Sequence, residues 1–90
     1  MSSRKFTFSG KVQGIGFRFT AQMLARKYNI LGWVKNNDDG SVSLVAQGTE
    51  ENIKKLLNHL KNYFQDNIEE IEEIEEKEDK EQGFTSFTIQ

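Results

Sequence analysis

The residues best suited to chemistry lie in residues 12–18, which have the sequence Val-Gln-Gly-Ile-Gly-Phe-Arg. Gly14 and Gly16 let the backbone curl so that successive amides point inward. A helix that begins directly after them adds partial positive charge, and Arg18 in its first turn supplies a bidentate donor. The segment therefore indicates a site for phosphate or carboxylate. An ordinary glycine turn beside a solvated arginine explains the same residues equally well.

The glycine spacing does not match the common nucleotide-binding motifs. No Gly-Lys-Ser/Thr sequence follows the two glycines, so the segment is not a Walker loop. The spacing from Gly10 to Gly14 and Gly16 also differs from the dinucleotide-binding fingerprint. A cradle for a small anion is the remaining functional interpretation.

Other candidate residues each have a structural explanation that is the default. Asn36 ends a predicted strand just before a turn, where a polar side chain can be held at a sheet edge, but asparagine is also a common turn residue. His59 lies one position off the apolar stripe of a predicted helix, which favours a surface histidine over a catalytic one. Trp33 is expected in the core or on the sheet surface. The acidic residues 66–81 are expected to form the wet face of an edge strand rather than a metal site.

The composition excludes several classes of site. The 90 residues include no Cys and one His, which removes disulfides, thiolate metal ligands and cysteine nucleophiles and leaves almost no zinc ligands. No metal or cofactor is therefore expected. No apolar run approaches the roughly 18 residues of a membrane span, and residues 1–5 lack the apolar stretch of a signal peptide. We expect a soluble, cytoplasmic chain without a membrane partner.

The formal net charge of −2 conceals two regions of opposite sign. Residues 1–65 contain ten Lys and Arg against four Asp and Glu, whereas residues 66–90 contain two Lys against ten Asp and Glu. A basic first region suits an anionic ligand, and an acidic last region repels nucleic acid. Non-specific binding of nucleic acid is therefore disfavoured.

Hydrophobic periodicity predicts the elements that position these residues. Phe6, Phe8 and Val12 alternate with polar residues, and Thr49 followed by two glutamates is typical of a helix start. Asp39-Gly40 between two apolar runs predicts a hairpin turn. The predicted order is a strand ending near residue 13, a helix over 17–29, strands over 30–36 and 42–48, and a helix over 50–64.

The C-terminal region follows the periodic templates less closely. Isoleucines recur every third residue at positions 68, 71 and 74, which fits neither a helix nor a strand. We predict a strand within residues 70–78, because a short final strand over 84–89 follows at once and the sheet needs a partner. The length of the chain predicts one domain, residues 1–90.

Two segments resemble the signatures of the acylphosphatase family. Residues 10–18 resemble its first signature, with Ile15 where valine is usual. Residues 32–42, Gly-Trp-Val-Lys-Asn-x-x-x-Gly-x-Val, followed by Gly48, resemble the second. Two motifs at the right spacing are more specific than either alone. The resemblance covers residues 5–64, returns at 87–89 and is weak between them.

This resemblance implies an α+β fold, a ferredoxin-like βαββαβ sandwich whose antiparallel-rich sheet has two helices on one face and a short fifth strand. It implies metal-independent hydrolysis of the carboxyl–phosphate bond of small-molecule acyl phosphates, by attack of water on phosphorus. Inorganic phosphate would be the product or an inhibitor, and a monomer is expected. Asn36 matches the residue that positions the water and Arg18 the residue that binds phosphate. The implied phosphate cradle consists of the amides of Gly14, Ile15, Gly16, Phe17 and Arg18.

Two other functions use the same fold. An anion-binding module could keep the cradle without turnover, but it would have no use for a water-aligning amide at Asn36. An RNA-binding domain would need exposed aromatic residues on its central strands, whereas Phe6 and Phe8 share the face expected to meet the helices. Within the resemblance, an acylphosphatase-like domain also occurs at the front of larger carbamoyl-transfer proteins, and 90 residues suggest that it stands alone here.

Overall fold

The computed structural model describes residues 2–74 and 83–90 of the chain. These residues form five strands and two helices in the order βαββαβ with a short additional strand. The elements are β1 (Ser2–Gly10), α1 (Phe17–Lys27), β2 (Leu31–Asn36), β3 (Val42–Gly48), α2 (Glu50–Tyr63), β4 (Ile68–Ile74) and β5 (Phe87–Ile89). Neither helix in the described part of the chain is long and apolar enough to span a membrane.

The five strands form one sheet in the order β4-β1-β3-β2-β5. All neighbours are antiparallel except β2 and β5, which run parallel. The helices pack against one face of this sheet and against each other. The expected ferredoxin-like fold, with an antiparallel-rich sheet and a short fifth strand, is confirmed.

The core lies between the sheet and the helices because alternate strand residues face the helical layer. Leu44 in the central strand β3 pairs with Phe6 on one side and with Val34 on the other, and all three are buried. Phe8 is completely buried as well and packs against Phe17 of α1 with ring centroids 4.9 Å apart. The two β1 aromatics therefore belong to the core, as expected, and are not a platform for RNA bases.

The structure corrects the predicted end of the first strand. β1 ends at Gly10, not near Gln13, because the sheet register shifts between Ser9 and Gly10. The chain then leaves the sheet, and the Lys11 amide donates to the carbonyl of Asn67 at 2.9 Å. The apolar Val12 that extended the predicted strand is buried beneath the loop instead.

The bounds predicted for the acidic strand and for the final strand were also wrong. β4 covers Ile68–Ile74 and pairs with β1 at one edge of the sheet, whereas β5 lies at the opposite edge beside β2. Positions 75–78 of the predicted strand lie outside the described residues. The final strand begins at Phe87 rather than at residue 84. Spacing along the chain carries no information on which edge a strand joins.

The described part of the acidic segment has the expected character of an edge strand. The isoleucines of β4 are half-buried and its glutamates are exposed. Arg4 of β1 donates to both carboxylate oxygens of Glu73 at 2.9 and 2.8 Å, and to Glu50 of α2 at 2.7 Å. The hydrogen bond from Arg4 holds the pKa of Glu73 below its usual value. Charge on this strand discourages edge-to-edge association.

Candidate anion-binding site

The loop between β1 and α1 has the curled backbone that its glycines indicate. Gly14 and Gly16 have φ angles of 79° and 82°, in the left-handed region that other residues rarely adopt. A Cβ atom at either glycine would meet no atom within 4 Å in the described part of the chain. The two glycines are therefore required by the backbone conformation rather than by lack of space.

Helix α1 begins at this loop, and within the described residues no side chain accepts a capping hydrogen bond from its first-turn amides. Gly16 is the N-cap and no side chain in the described part of the chain caps the helix. The first turn contains no acidic residue. The first amides of a helix have no partner within the helix and carry partial positive charge. Together with the curled loop, they form a concave donor surface suited to an anion.

Arg18 and Asn36 lie on the same cavity although they belong to different elements. Asn36 is two residues beyond buried Val34 on β2, so its side chain is on the face of the sheet that the helices cover. The cavity has a volume of about 200 Å³. Its lining comes from the loop, the start of α1 and the ends of two strands: Val12, Gly14, Gly16, Phe17, Arg18, Phe19, Asn36 and Ile89.

The polar groups of the cavity keep most of their hydrogen-bonding capacity for a ligand. Nη1 of Arg18 donates to the main-chain carbonyl of Gln90 at 3.3 Å, which uses one of the five N–H donors of the guanidinium. Within residues 2–74 and 83–90, the Asn36 side chain has no hydrogen-bond partner. A guanidinium and an amide thus face one concave space with free donors and an acceptor.

Four of the five residues predicted for the phosphate cradle line this cavity, and Ile15 does not. The Ile15 side chain is exposed at the loop tip, so only its backbone could contribute. The side chain of Phe17 is buried in the core, which leaves its amide as the group available to a ligand. Sequence reasoning missed Phe19 and Ile89. The sequence signal for Phe19 was an aromatic residue directly after Arg18.

The remaining candidates lie elsewhere. His59 is half-buried on α2, with its Nδ1 atom 3.0 Å from the hydroxyl of Tyr28, so it is a partnered residue between the helices rather than a solvated one. Trp33 lies on the face of the sheet away from the helices, with Lys5 Nζ 5.8 Å from the ring centroid. In the described ranges, no three His, Asp or Glu side chains come together as ligands for a metal ion.

The loop between β1 and α1 is tied to the β2–β3 hairpin by the side chain of Gln13. Nε2 of Gln13 donates to the carbonyls of Asn37 and Ser41 at 2.8 and 2.9 Å. The hairpin has its own polar network: Asn37 Nδ2 donates to the hydroxyls of Ser41 and Ser43, and Asp39 accepts from the amide and the hydroxyl of Ser41. The turn next to Asn36 is therefore tied both internally and to the loop.

Comparison with known proteins identifies relatives along nearly the whole chain. The model of the acylphosphatase family matches residues 4–89. An acylphosphatase of Bacillus licheniformis is 46% identical over 57 residues, which are 63% of this chain and 63% of that protein. The matched region therefore covers less than two-thirds of the length of this curated relative.

Similarity to solved structures extends further. The crystal structure of acylphosphatase from Bacillus subtilis matches with a TM-score of 0.86 at 33% identity, over 99% of this chain and 98% of that one. Full-length HypF, in a phosphate- and nucleotide-bound form, matches with a TM-score of 0.80 at 29% identity, over 98% of this chain but 11% of HypF. The same fold thus occurs both as a small protein and as part of a large one.

Proposed function

The chain belongs to the acylphosphatase family, and from this membership we propose that it hydrolyses the carboxyl–phosphate bond of acyl phosphates, releasing a carboxylate and inorganic phosphate. The observation that carries the proposal is that Arg18, the glycine loop and Asn36 line one cavity. We propose that these residues divide the work: the loop and Arg18 bind the phosphoryl group, and Asn36 positions a water.

Binding of the phosphoryl group is supported by the donors of the loop and the helix. The amides of residues 14–18 and the guanidinium of Arg18 would neutralise the phosphoryl oxygens. Phosphoryl transfer needs mainly positioning and charge stabilisation, because its transition state spreads charge over these oxygens. A planar guanidinium suits this task since it donates to two oxygens at once.

Asn36 is proposed to align the attacking water. Its amide does not ionise at neutral pH, so it cannot act as a general base, but it can hold a water in line with the bond to be broken. The leaving carboxylate is stable as an anion and needs no strong general acid. A phosphate oxygen can accept the proton of the water. The proposed reaction therefore needs no metal ion, thiol or histidine.

The acyl part of the substrate is proposed to lie at the apolar rim of the cavity. Phe19 and Ile89 line the cavity and remain 60% and 39% exposed. Apolar side chains at the mouth of a polar site offer surface to the non-reacting part of a ligand. This arrangement suits a small-molecule substrate. A nucleic acid is disfavoured by the buried aromatics of β1 and the glutamates of β4.

The decisive experiment measures release of inorganic phosphate from benzoyl phosphate by the purified chain, with and without EDTA. We expect saturable hydrolysis, competitive inhibition by phosphate and the same rate with the chelator. Binding of phosphate without hydrolysis would identify an anion-binding module instead. Loss of activity in EDTA, restored by a divalent cation, would contradict the metal-independent mechanism.

A further inference from the structure

Gln13 connects the glycine loop that leads into α1 with the β2–β3 hairpin that carries Asn36. It lies in the loop directly before Gly14, and its side-chain amide donates to two carbonyls on the β2–β3 hairpin, those of Asn37 and Ser41. Asn37 directly follows Asn36, so the tie reaches the residue next to the proposed water-positioning group. The Gln13 side chain is half-buried and does not line the cavity, so contact with the phosphoryl group is not its role.

We propose that Gln13 is a positioning residue, which holds the phosphate-binding loop at a fixed distance from Asn36; this inference rests on the proposed function. The loop and Asn36 belong to elements that are not neighbours in the sheet, since β3 separates β1 from β2. The hydrogen bonds of the sheet therefore do not set the position of the loop relative to the hairpin. Two short hydrogen bonds from one glutamine tie the loop directly to the hairpin.

The geometry makes glutamine hard to replace. Both acceptors are main-chain carbonyls that also take part in the turn: Ser41 O accepts from the Asn37 amide at 2.8 Å, and Asn37 O accepts from the Gly40 amide at 3.2 Å. The two N–H donors on the side-chain nitrogen of glutamine satisfy both carbonyls at once. Asparagine is one methylene shorter, and glutamate would place oxygens against oxygens. Methionine keeps the length and lacks the donors.

The consequence for catalysis is a selective loss of turnover. The cradle amides belong to the loop itself and Arg18 belongs to α1, so an untied loop keeps its means of binding phosphate. What changes is the distance from the bound phosphoryl group to the water at Asn36. A misplacement of about 1 Å costs on the order of 10²-fold in rate.

The test compares Gln13→Met with Gln22→Met in benzoyl phosphate hydrolysis, with a thermal unfolding curve for each. Gln22 is a matched control, because its Nε2 also donates to one main-chain carbonyl, that of Phe87 at 3.0 Å, away from the hairpin. We expect Gln13→Met to lower kcat roughly 30- to 100-fold while the phosphate inhibition constant changes about threefold or less. Gln22→Met should keep kcat within about threefold.

A double-mutant cycle with Asn36→Ala separates positioning from general support of the fold. If Gln13 acts through Asn36, Gln13→Met adds almost nothing to the loss of kcat in the Asn36→Ala background. Multiplicative losses would overturn the inference, and so would wild-type kcat in Gln13→Met. An inactive wild-type chain would instead overturn the proposed function and this inference with it.

Discussion

The two helices of this protein begin in opposite ways. α2 starts at Thr49, whose hydroxyl accepts from the Asn52 amide at 3.1 Å, and Glu50 and Glu51 follow in the first turn. α1 starts at Gly16, with no cap from a side chain in the described residues and with Arg18 in its first turn. Both helix termini carry the same partial positive charge. At α2, the glutamates of the first turn compensate this positive charge. At α1, Arg18 adds a further positive charge to it.

This difference shows how a small fold separates stability from binding. A capped terminus contributes to stability because its amides find partners inside the protein. An uncapped terminus beside a cavity gives up this contribution and leaves its amides for an anion. Arg4 reinforces the distinction, since it pairs with Glu50 at the start of α2, whereas Arg18 at α1 has, within the described residues, one carbonyl contact at 3.3 Å.

The largest effect is expected from removing the positive charge of Arg18 at the start of α1. Arg18→Ala should lower kcat/KM for benzoyl phosphate about 10²- to 10³-fold, which corresponds to roughly 2.7–4 kcal/mol in the barrier, because it removes the only side-chain cation among the described residues that line the cavity. Phosphate inhibition should weaken as well. Arg26→Ala, at the exposed far end of the same helix, is the control and should stay near wild type. An active Arg18→Ala variant would contradict the proposed site.

Asn36→Ala tests whether the cavity has two separable functions. We expect kcat to fall about 10²-fold because the water loses its alignment. The phosphate inhibition constant should stay within about twofold, since the donors at α1 are intact. Steady-state kinetics measure both quantities. Asn58→Ala, at an exposed position of α2, is the control. Equal losses of turnover and phosphate affinity would mean that Asn36 binds the phosphoryl group.

At α2 the matching change should affect stability alone. Thr49→Ala removes the cap and should lower the free energy of unfolding by about 1 kcal/mol. Because α2 contributes nothing to the lining of the cavity, kcat/KM should not change. Urea denaturation followed by circular dichroism measures the first quantity and the phosphate-release assay the second. A drop in kcat/KM without a drop in stability would show that the two termini are not independent.

Giving α1 the acidic first turn of α2 should reduce anion binding. Phe19 is the third residue of α1 and lies on the cavity. Phe19→Glu places a carboxylate near the free amides, and we expect the phosphate inhibition constant to rise about fivefold, or roughly 1 kcal/mol. Phe19→Gln controls for the loss of the aromatic ring. If the two variants bind phosphate equally, the charge at this terminus does not matter.

The smallest expected effect concerns the pair that joins β1 to β4. Arg4 lowers the pKa of Glu73, so the pair stabilises the fold where Glu73 is ionised and ceases to do so as the pH falls through the lowered folded pKa. Both side chains are partly exposed, so Glu73→Gln should cost about 0.5 kcal/mol or less at pH 7. Unfolding curves of variant and wild type should converge once the pH falls below the lowered pKa of Glu73. Glu72→Gln, exposed on the same strand, is the control.

Much of this architecture followed from local patterns. The alternation of Phe6 and Phe8, the cap at Thr49 and the Asp39-Gly40 turn each predicted an element that the structure contains. These signals are local, because the period of side chains along a strand or helix and the conformation of a turn depend on a few neighbouring residues. The glycines of the loop belong to the same class, since their φ angles are a property of single residues.

The pairing of distant segments was decided by the tertiary structure. The chain pattern predicted two strands in the C-terminal region without identifying their neighbours, and the sheet places β4 against β1 and β5 against β2. The bond from Gln13 to the hairpin and the position of Ile89 on the cavity are equally non-local. A strand buries one face whichever edge it joins, so its periodicity does not identify its partner. Local patterns in the sequence predicted most of the elements and supplied the chemical groups, whereas the packing of β2 and α1 on one core brought Asn36 and Arg18 to a single cavity.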